Sequence, residues 1–307
     1  MYPRYLLGLA SSRHAPSHLA LSGLALSGLA LLGLAACSGE APPPEAADAT
    51  AAAVAAPTPR EVRFTATDFA FEGPTTIEAG MISMVLDNQG ATWHHLQLIK
   101  LPDGMTVEDF QAGMATMQPG SPPPPWLEEA GGVNPPEPGH PARVTMLVEP
   151  GEYAVLCFVD TPDKVPHVMK GMIRPLTVTP SSAPPAALPG SDLTLTLVDY
   201  AFAFSQPPTA GEHVIRVEVA AEQAHEVAFF RLAEGKTMDD VAAWAETYQG
   251  EPPMTPVGGV PAMRAGQVAD VYVNFTPGNY VALCFLPDAT DGQLHLMHGM
   301  VLPFSIS

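Results

Sequence analysis

Cys157, His167 and Met172 follow one another in one stretch of the chain, and Cys284, His295 and Met300 do so again. The spacing from His to Met is five both times (172−167 and 300−295), and that from Cys to His is ten and then eleven (167−157 and 295−284). A thiolate, an imidazole and a thioether are soft donors, and such a set suits copper. Taken singly, each residue has a plainer reading. A lone strand Cys is usually a small hydrophobe, and a Met after Gly usually packs. The recurrence of all three in one order shifts the balance to metal.

These donors need elements to hold them. Pro150-Gly151 and Pro277-Gly278 are turns, and each leads into an alternating strand that ends at the Cys. The surroundings repeat as well. Asp68-Phe69-Ala70-Phe71 recurs as Asp199-Tyr200-Ala201-Phe202 at an offset of 131 (199−68), and Gly131-Gly132-Val133 recurs as Gly258-Gly259-Val260 at 127 (258−131). The chain is therefore a tandem duplication, with domains at 61–179 and 191–307 joined by an Ala/Pro linker at 180–190. Val62 to Ala66 alternates as a strand, and Asp68 to Phe71 is expected to continue it. Thr106, with Asp109 three residues on, signals a helix start, and Thr237 with Asp240 repeats it. Gln118 to Pro141 is rich in Pro and Gly and is expected to be a loop. Short alternating strands at regular spacing, with one short helical insert per repeat, predict an all-β chain of two antiparallel Greek-key β-sandwiches.

With these residues in view, each repeat resembles a cupredoxin, the fold of small blue-copper proteins. The resemblance implies two mononuclear copper sites of the type 1 kind, His94, Cys157, His167 and Met172, then His225, Cys284, His295 and Met300, with Met as a weak axial ligand. His94 rather than His95 is the expected ligand, since His94 aligns with His225 and His95 with Glu226 at the offset of 131 (225−94). His95 is expected on the solvent side or just behind the ligands. Asn88 resembles the Asn that braces the Cys loop in the family. A disulfide between Cys157 and Cys284 would leave the His and Met residues unexplained.

The chain of 307 residues has a formal net charge of −19, which argues against nucleic acid as a partner. Arg4 and Arg13 precede an apolar run that ends in Leu34-Ala35-Ala36-Cys37, which resembles a bacterial lipobox. The resemblance implies a signal peptide at 1–36, lipidation of Cys37 and a flexible tether at 37–60. Ser38 follows Cys37, which favours the outer over the inner membrane and a protein facing the periplasm. Tandem cupredoxin enzymes carry a second copper centre built from further His residues. Here Leu156 and Phe158 flank one Cys, Leu283 and Phe285 the other, and no His-x-His pair occurs. The expectation is a membrane-anchored copper protein, not an enzyme, that transfers single electrons to an unidentified periplasmic partner. Copper(I) holding or delivery is the alternative, and a metal-free scaffold or adhesion module stands against both.

Overall fold

The computed structural model describes residues 57–118, 120–184 and 186–307. The expected signal segment, Cys37 and the tether up to residue 56 lie outside them. The described chain is almost wholly β. In the first repeat β1 (Arg60–Thr67), β2 (Ala70–Glu72), β3 (Thr76–Glu78), β4 (Gly80–Asn88) and β5 (Leu96–Lys100) precede α1 (Val107–Ala115). Then come β6 (Glu128–Val133), β7 (Pro141–Val148), β8 (Gly151–Leu156) and β9 (Ile173–Thr179). The second repeat follows the same plan without a counterpart of β3, with β10 (Leu193–Val198), β11 (Ala201–Phe204), β12 (Gly211–Val219), β13 (His225–Leu232), α2 (Met238–Thr247), β14 (Met254–Met263), β15 (Val268–Phe275), β16 (Gly278–Leu283) and β17 (Val301–Ile306).

Alternation explains the strands. In β1, Val62, Phe64 and Ala66 turn inward while their neighbours face out. Both helices begin with a complete capping box, Thr106 with Asp109 and Thr237 with Asp240, so the exposed amides of the first turn are satisfied. Tyr153 and Tyr280 are buried and donate to the carbonyls of Glu149 (2.8 Å) and Thr276 (2.9 Å), which pins the turn before each Cys strand.

Three features depart from the expectations. The ladders are mainly antiparallel, but β1 with β4, β10 with β12, and β3 with β9 run parallel. Asp68 and Phe69 form a turn rather than a continued strand, with Phe69 at φ 65° and its counterpart Tyr200 at 64°. The stretch expected as a loop at 118–141 contains β6, whose Glu-Glu-Ala-Gly-Gly-Val sequence carries little intrinsic strand preference.

The reason for β6 is tertiary. One sheet runs β11-β10-β12-β15-β7-β4-β1-β2, and the other runs β17-β16-β13-β14-β6-β5-β8-β9-β3. Both sheets therefore pass through both repeats, joined where β7 meets β15 and where β6 meets β14. Val144 pairs with Val271, its own counterpart at the offset of 127 (271−144), so the joint has approximate two-fold symmetry. The apolar core between the sheets is continuous from Phe64 and Met84 to Phe275 and Tyr280. β6 is held by its partners on both sides, and its glycines permit that. A Cβ on Gly132 (φ 141°) would lie 1.9 Å from the Leu96 carbonyl oxygen, and one on Gly259 (φ 133°) 2.0 Å from that of Val227.

Gly132→Ala should therefore be far more costly than Gly80→Ala, whose φ is also positive at 128° but whose Cβ would meet nothing within 4 Å. Backbone strain alone costs about 1–3 kcal/mol. Urea unfolding should show Gly132→Ala losing at least about 2 kcal/mol beyond the Gly80→Ala loss. Equal losses would show that the close approach of β6 to β5 contributes nothing.

Candidate metal centres

Strand ends gather the donors. His94 lies just before β5, Cys157 just after β8 and Met172 just before β9, and these strands are neighbours, with Gln97 opposite Leu156 and Leu156 opposite Ile173. A 3-10 turn at His167–Lys170 carries the remaining ligand. The peptide of Cys157 holds this turn, since its N–H donates to the Met172 carbonyl (3.2 Å) and its carbonyl accepts from Val168 (2.8 Å). The Met172 amide in turn donates to the His167 carbonyl (3.0 Å). Gly171 ends the turn at φ 99°, which accounts for the Gly before Met. The second repeat reproduces each contact with His295–His298, Gly299 (φ 100°), Cys284, Leu296 and Met300.

All eight predicted ligands are buried, and none exposes more than a trace of surface. In the first cluster His94 Nδ1 is 3.1 Å from His167 Nδ1, and Cys157 Sγ is 3.5 Å from His167 Nδ1. In the second, Cys284 Sγ is 3.3 Å from His295 Nδ1 and 4.0 Å from His225 Nδ1. Both cysteines are free thiols. Met172 and Met300 pack in the same core as the cysteines. Met169 is exposed, so it is not a core residue.

Carboxylates that the sequence reading did not assign to the sites turn out to orient the imidazoles. Asp68 accepts from His94 Nε2 at 3.1 Å, and Asp199 from His225 Nε2 at 2.8 Å. With Nε2 tied outward, Nδ1 is left to face the cysteine. The next residue in each motif, Phe69 or Tyr200, sets its ring edge-on to His167 or His295 (5.1 and 5.5 Å). The repeated Asp-aromatic-Ala-Phe motif is thus the roof of each site, and its recurrence was the signal for it. The two sites differ in the outer nitrogen of the loop His. His295 Nε2 meets Gln223 at 3.1 Å, whereas His167 Nε2 has no hydrogen-bond partner.

Asn88 braces its own turn, donating to the Thr92 carbonyl (2.9 Å) and accepting from Gly90 (3.1 Å), and so supports the approach to His94. His95 is buried, not solvent-facing. Its Nε2 accepts from the Phe158 amide at 2.7 Å, directly after Cys157, and its Nδ1 meets Asn134 Oδ1 at 3.3 Å. Glu226 takes the equivalent place in the second repeat, accepting from the Phe285 amide at 2.9 Å. Asn134 reaches across the joint to the Val227 carbonyl (3.0 Å) and to Glu226 (3.5 Å).

Electrostatics matches the donor roles. Burial pushes His167 and His295 down to about 4, with the neighbouring His adding to it. Burial also lowers His94 and His225, against the pull of Asp68 and Asp199. All four imidazoles are therefore neutral at neutral pH, as metal ligation requires. Burial raises the Cys157 thiol to about 12 and raises Cys284 as well, where Glu226 adds to the effect. Buried thiols beside neutral imidazoles, with a buried Met whose carbonyl accepts from the amide of each Cys, fit a soft cation such as copper.

Two outcomes follow from this geometry. Asp68→Asn should weaken metal binding at the first site by about 10- to 100-fold, and Asp199→Asn at the second. Competition with a chelator checks this, and unchanged affinity would deny the carboxylates an orienting role. Second, each thiol is protonated below about pH 12 and each loop imidazole is neutral above about pH 5. Metal uptake should therefore release one proton per site, so affinity should rise about tenfold per pH unit from about pH 6 to pH 9. A steeper slope would mean that an imidazole also loses a proton on binding.

No family model matches the chain, and no curated protein does. Among solved structures it is similar to a blue copper oxidase from Nitrosomonas europaea, at 18% identity over 81% of this chain and 86% of that one, with a TM-score of 0.25. It is also similar to a dithionite-reduced auracyanin from Roseiflexus castenholzii, at 18% identity over 39% of this chain and 97% of that one (TM-score 0.27). A copper nitrite reductase from Nitrosomonas europaea aligns at 12% identity over 81% of this chain and 94% of that one (TM-score 0.23). These likenesses are distant, and the fit to copper rests on the donors themselves. Two β-sandwich repeats, each gathering two His, one Cys and one Met at the same strand ends, fit a tandem cupredoxin.

Proposed function

We propose that this chain is a membrane-anchored copper protein with two mononuclear sites that passes single electrons to a redox partner in the periplasm. One observation carries the reading. Every donor side chain is buried, the peptide of each cysteine ties down its own loop, and carboxylates orient His94 and His225. A site fixed in this way changes little in shape when the charge of its ion changes, which suits electron transfer. Bound copper would supply the one-electron couple. His94, Cys157, His167 and Met172 would hold one ion, and His225, Cys284, His295 and Met300 the other. Asp68 and Asp199 keep the imidazoles aimed, and the packed core keeps water out.

Lipidation at Cys37 would tether the protein, with the outer membrane as the favoured site. The net charge of −19 suits a basic partner surface. Copper(I) delivery is the second reading, supported by the exposed thioether of Met169 in the turn that carries His167. Among the described residues the other group of possible metal donors is Asp288, Asp291 and His298. It is dominated by carboxylates, and Asp288 is already engaged by Tyr200 and Gln223. We read the protein as a carrier on the strength of its two buried Cys-His donor sets.

The test is the visible spectrum with copper counted per chain. Loading should give an intense thiolate-to-copper band and two coppers. Cys157→Ser and Cys284→Ser should each remove one copper while leaving the fold intact. Retention of both coppers in either variant would overturn the assignment, and tight copper(I) binding without the band would favour delivery.

A further inference from the structure

The repeats differ beneath their helices. In the first, the inward residues of α1 and the strand approach fill the space, with Phe110 and Trp126 edge to face at 5.8 Å. In the second, the aligned residues are smaller. Val241 stands for Phe110, Ala245 for Met114 and Pro253 for Trp126. The result is a cavity of about 360 Å³ between α2 and the sheet, reaching the joint between the repeats.

Its largely apolar walls include six aromatic rings, those of Trp93, Phe158, Phe230, Trp244, Tyr248 and Phe285. Trp93 crosses from the first repeat to pack on Trp244 (5.8 Å) and Phe230 (5.7 Å). Phe158 and Phe285 also line it, and each directly follows a predicted ligand cysteine. His95, Asn134 and Glu226 supply polar groups in the same wall. Glu226 spends one oxygen on the Phe285 amide, while the other has only the long 3.5 Å contact from Asn134. That second oxygen is an acceptor with capacity to spare.

We propose that this cavity binds a small hydroxylated aromatic ring, of the phenol or hydroquinone class. Its volume lies at the low end for small-molecule sites, which suits one or two rings rather than a larger cofactor. The aromatic walls match a flat apolar ring, and the ring hydroxyl donates to Glu226. A ring held here lies beside Phe158 and Phe285, the residues that follow the two cysteines. Its use in electron transfer rests on the copper reading, but its binding does not.

The experiment uses the full chain freed of metal by a chelator. Hydroquinone is titrated while indole fluorescence and heat are followed, with toluene and tetramethylammonium as comparison ligands. Hydroquinone should saturate with a dissociation constant below about 1 mM, and toluene should bind at least about tenfold more weakly. The double variant Val241→Phe with Ala245→Met restores the bulk of the first repeat and should abolish binding while still taking up two coppers. Glu226→Leu should bring hydroquinone down to the level of toluene. The proposal is overturned by a lack of saturation in the parent chain, by unchanged binding in both variants, by toluene binding equally well, or by tetramethylammonium displacing hydroquinone. Copper is counted separately, so failure of the metal reading and failure of the cavity reading give different results.

Discussion

Each donor set depends on the hydrogen bonds made by the peptide groups of its own cysteine. The strand that carries Cys157 ends at Leu156, so the N–H and C=O of Cys157 are free of the regular ladder and bond to Met172 and Val168 instead. A buried peptide must find partners, and these two are supplied by the loop that carries His167 and the thioether. The loop between Cys and His can therefore vary from nine to ten residues while both ends keep the same hydrogen bonds. Both versions close on a bridge at its base, Asp160 with Pro166 or Pro287 with Leu294. The left-handed glycine before each Met then lets the chain leave the 3-10 turn and enter the last strand.

The second constraint is the joint. Two separate sandwiches would each leave a strand edge at β7 and β6, or at β15 and β14, and exposed edges invite pairing with other chains. Here each edge is closed by its own counterpart in the other repeat. Closure sets β6 beside β14, and within each repeat only glycine fits at positions 132 and 259, against the carbonyls of Leu96 and Val227. It also fixes the position of one site relative to the other, since both hang from strands of the same sheet. Surface ion pairs across the joint, such as Arg264 with Glu149 at 2.8 Å, add little by comparison.

Much of this was legible in the chain. The helix caps and the all-β class follow from capping chemistry and alternation, and the gathering of His94 with Cys157 and His167, and of His225 with Cys284 and His295, follows from spacing and recurrence. The choice of His94 over His95 came from alignment of the repeats. What was not legible came from tertiary pairing. β6 has weak strand residues and exists because β5 and β14 flank it, which no local pattern announces. His95 looked like a solvent-side residue because the alternation of one strand cannot report that a second face is covered as well. The roles of Asp68 and Asp199 were within reach, since their motif recurs. Their chemistry was hidden because the turn they sit in looked like more strand.

The polar chain across the joint shows how divergence between the repeats was accommodated. The position after the first ligand His must accept a hydrogen bond from the amide after the Cys. His95 does so through Nε2 and Glu226 through a carboxylate oxygen. Each acceptor is buried, and a buried polar group is tolerated only when its remaining capacity is matched. Asn134 contributes to both, with its carbonyl oxygen toward His95 and its amide toward Glu226. Its counterpart in the second repeat is Pro261, which has no side-chain hydrogen bond to offer, so one residue serves both repeats. Burial then sets both groups toward neutrality, with His95 pushed down to about 4 and Glu226 raised to about 7. Two different acceptors thus converge on the same role beside the two cysteines. The cost of that convergence is a shared dependence, because a change at Asn134 acts on the surroundings of both sites at once.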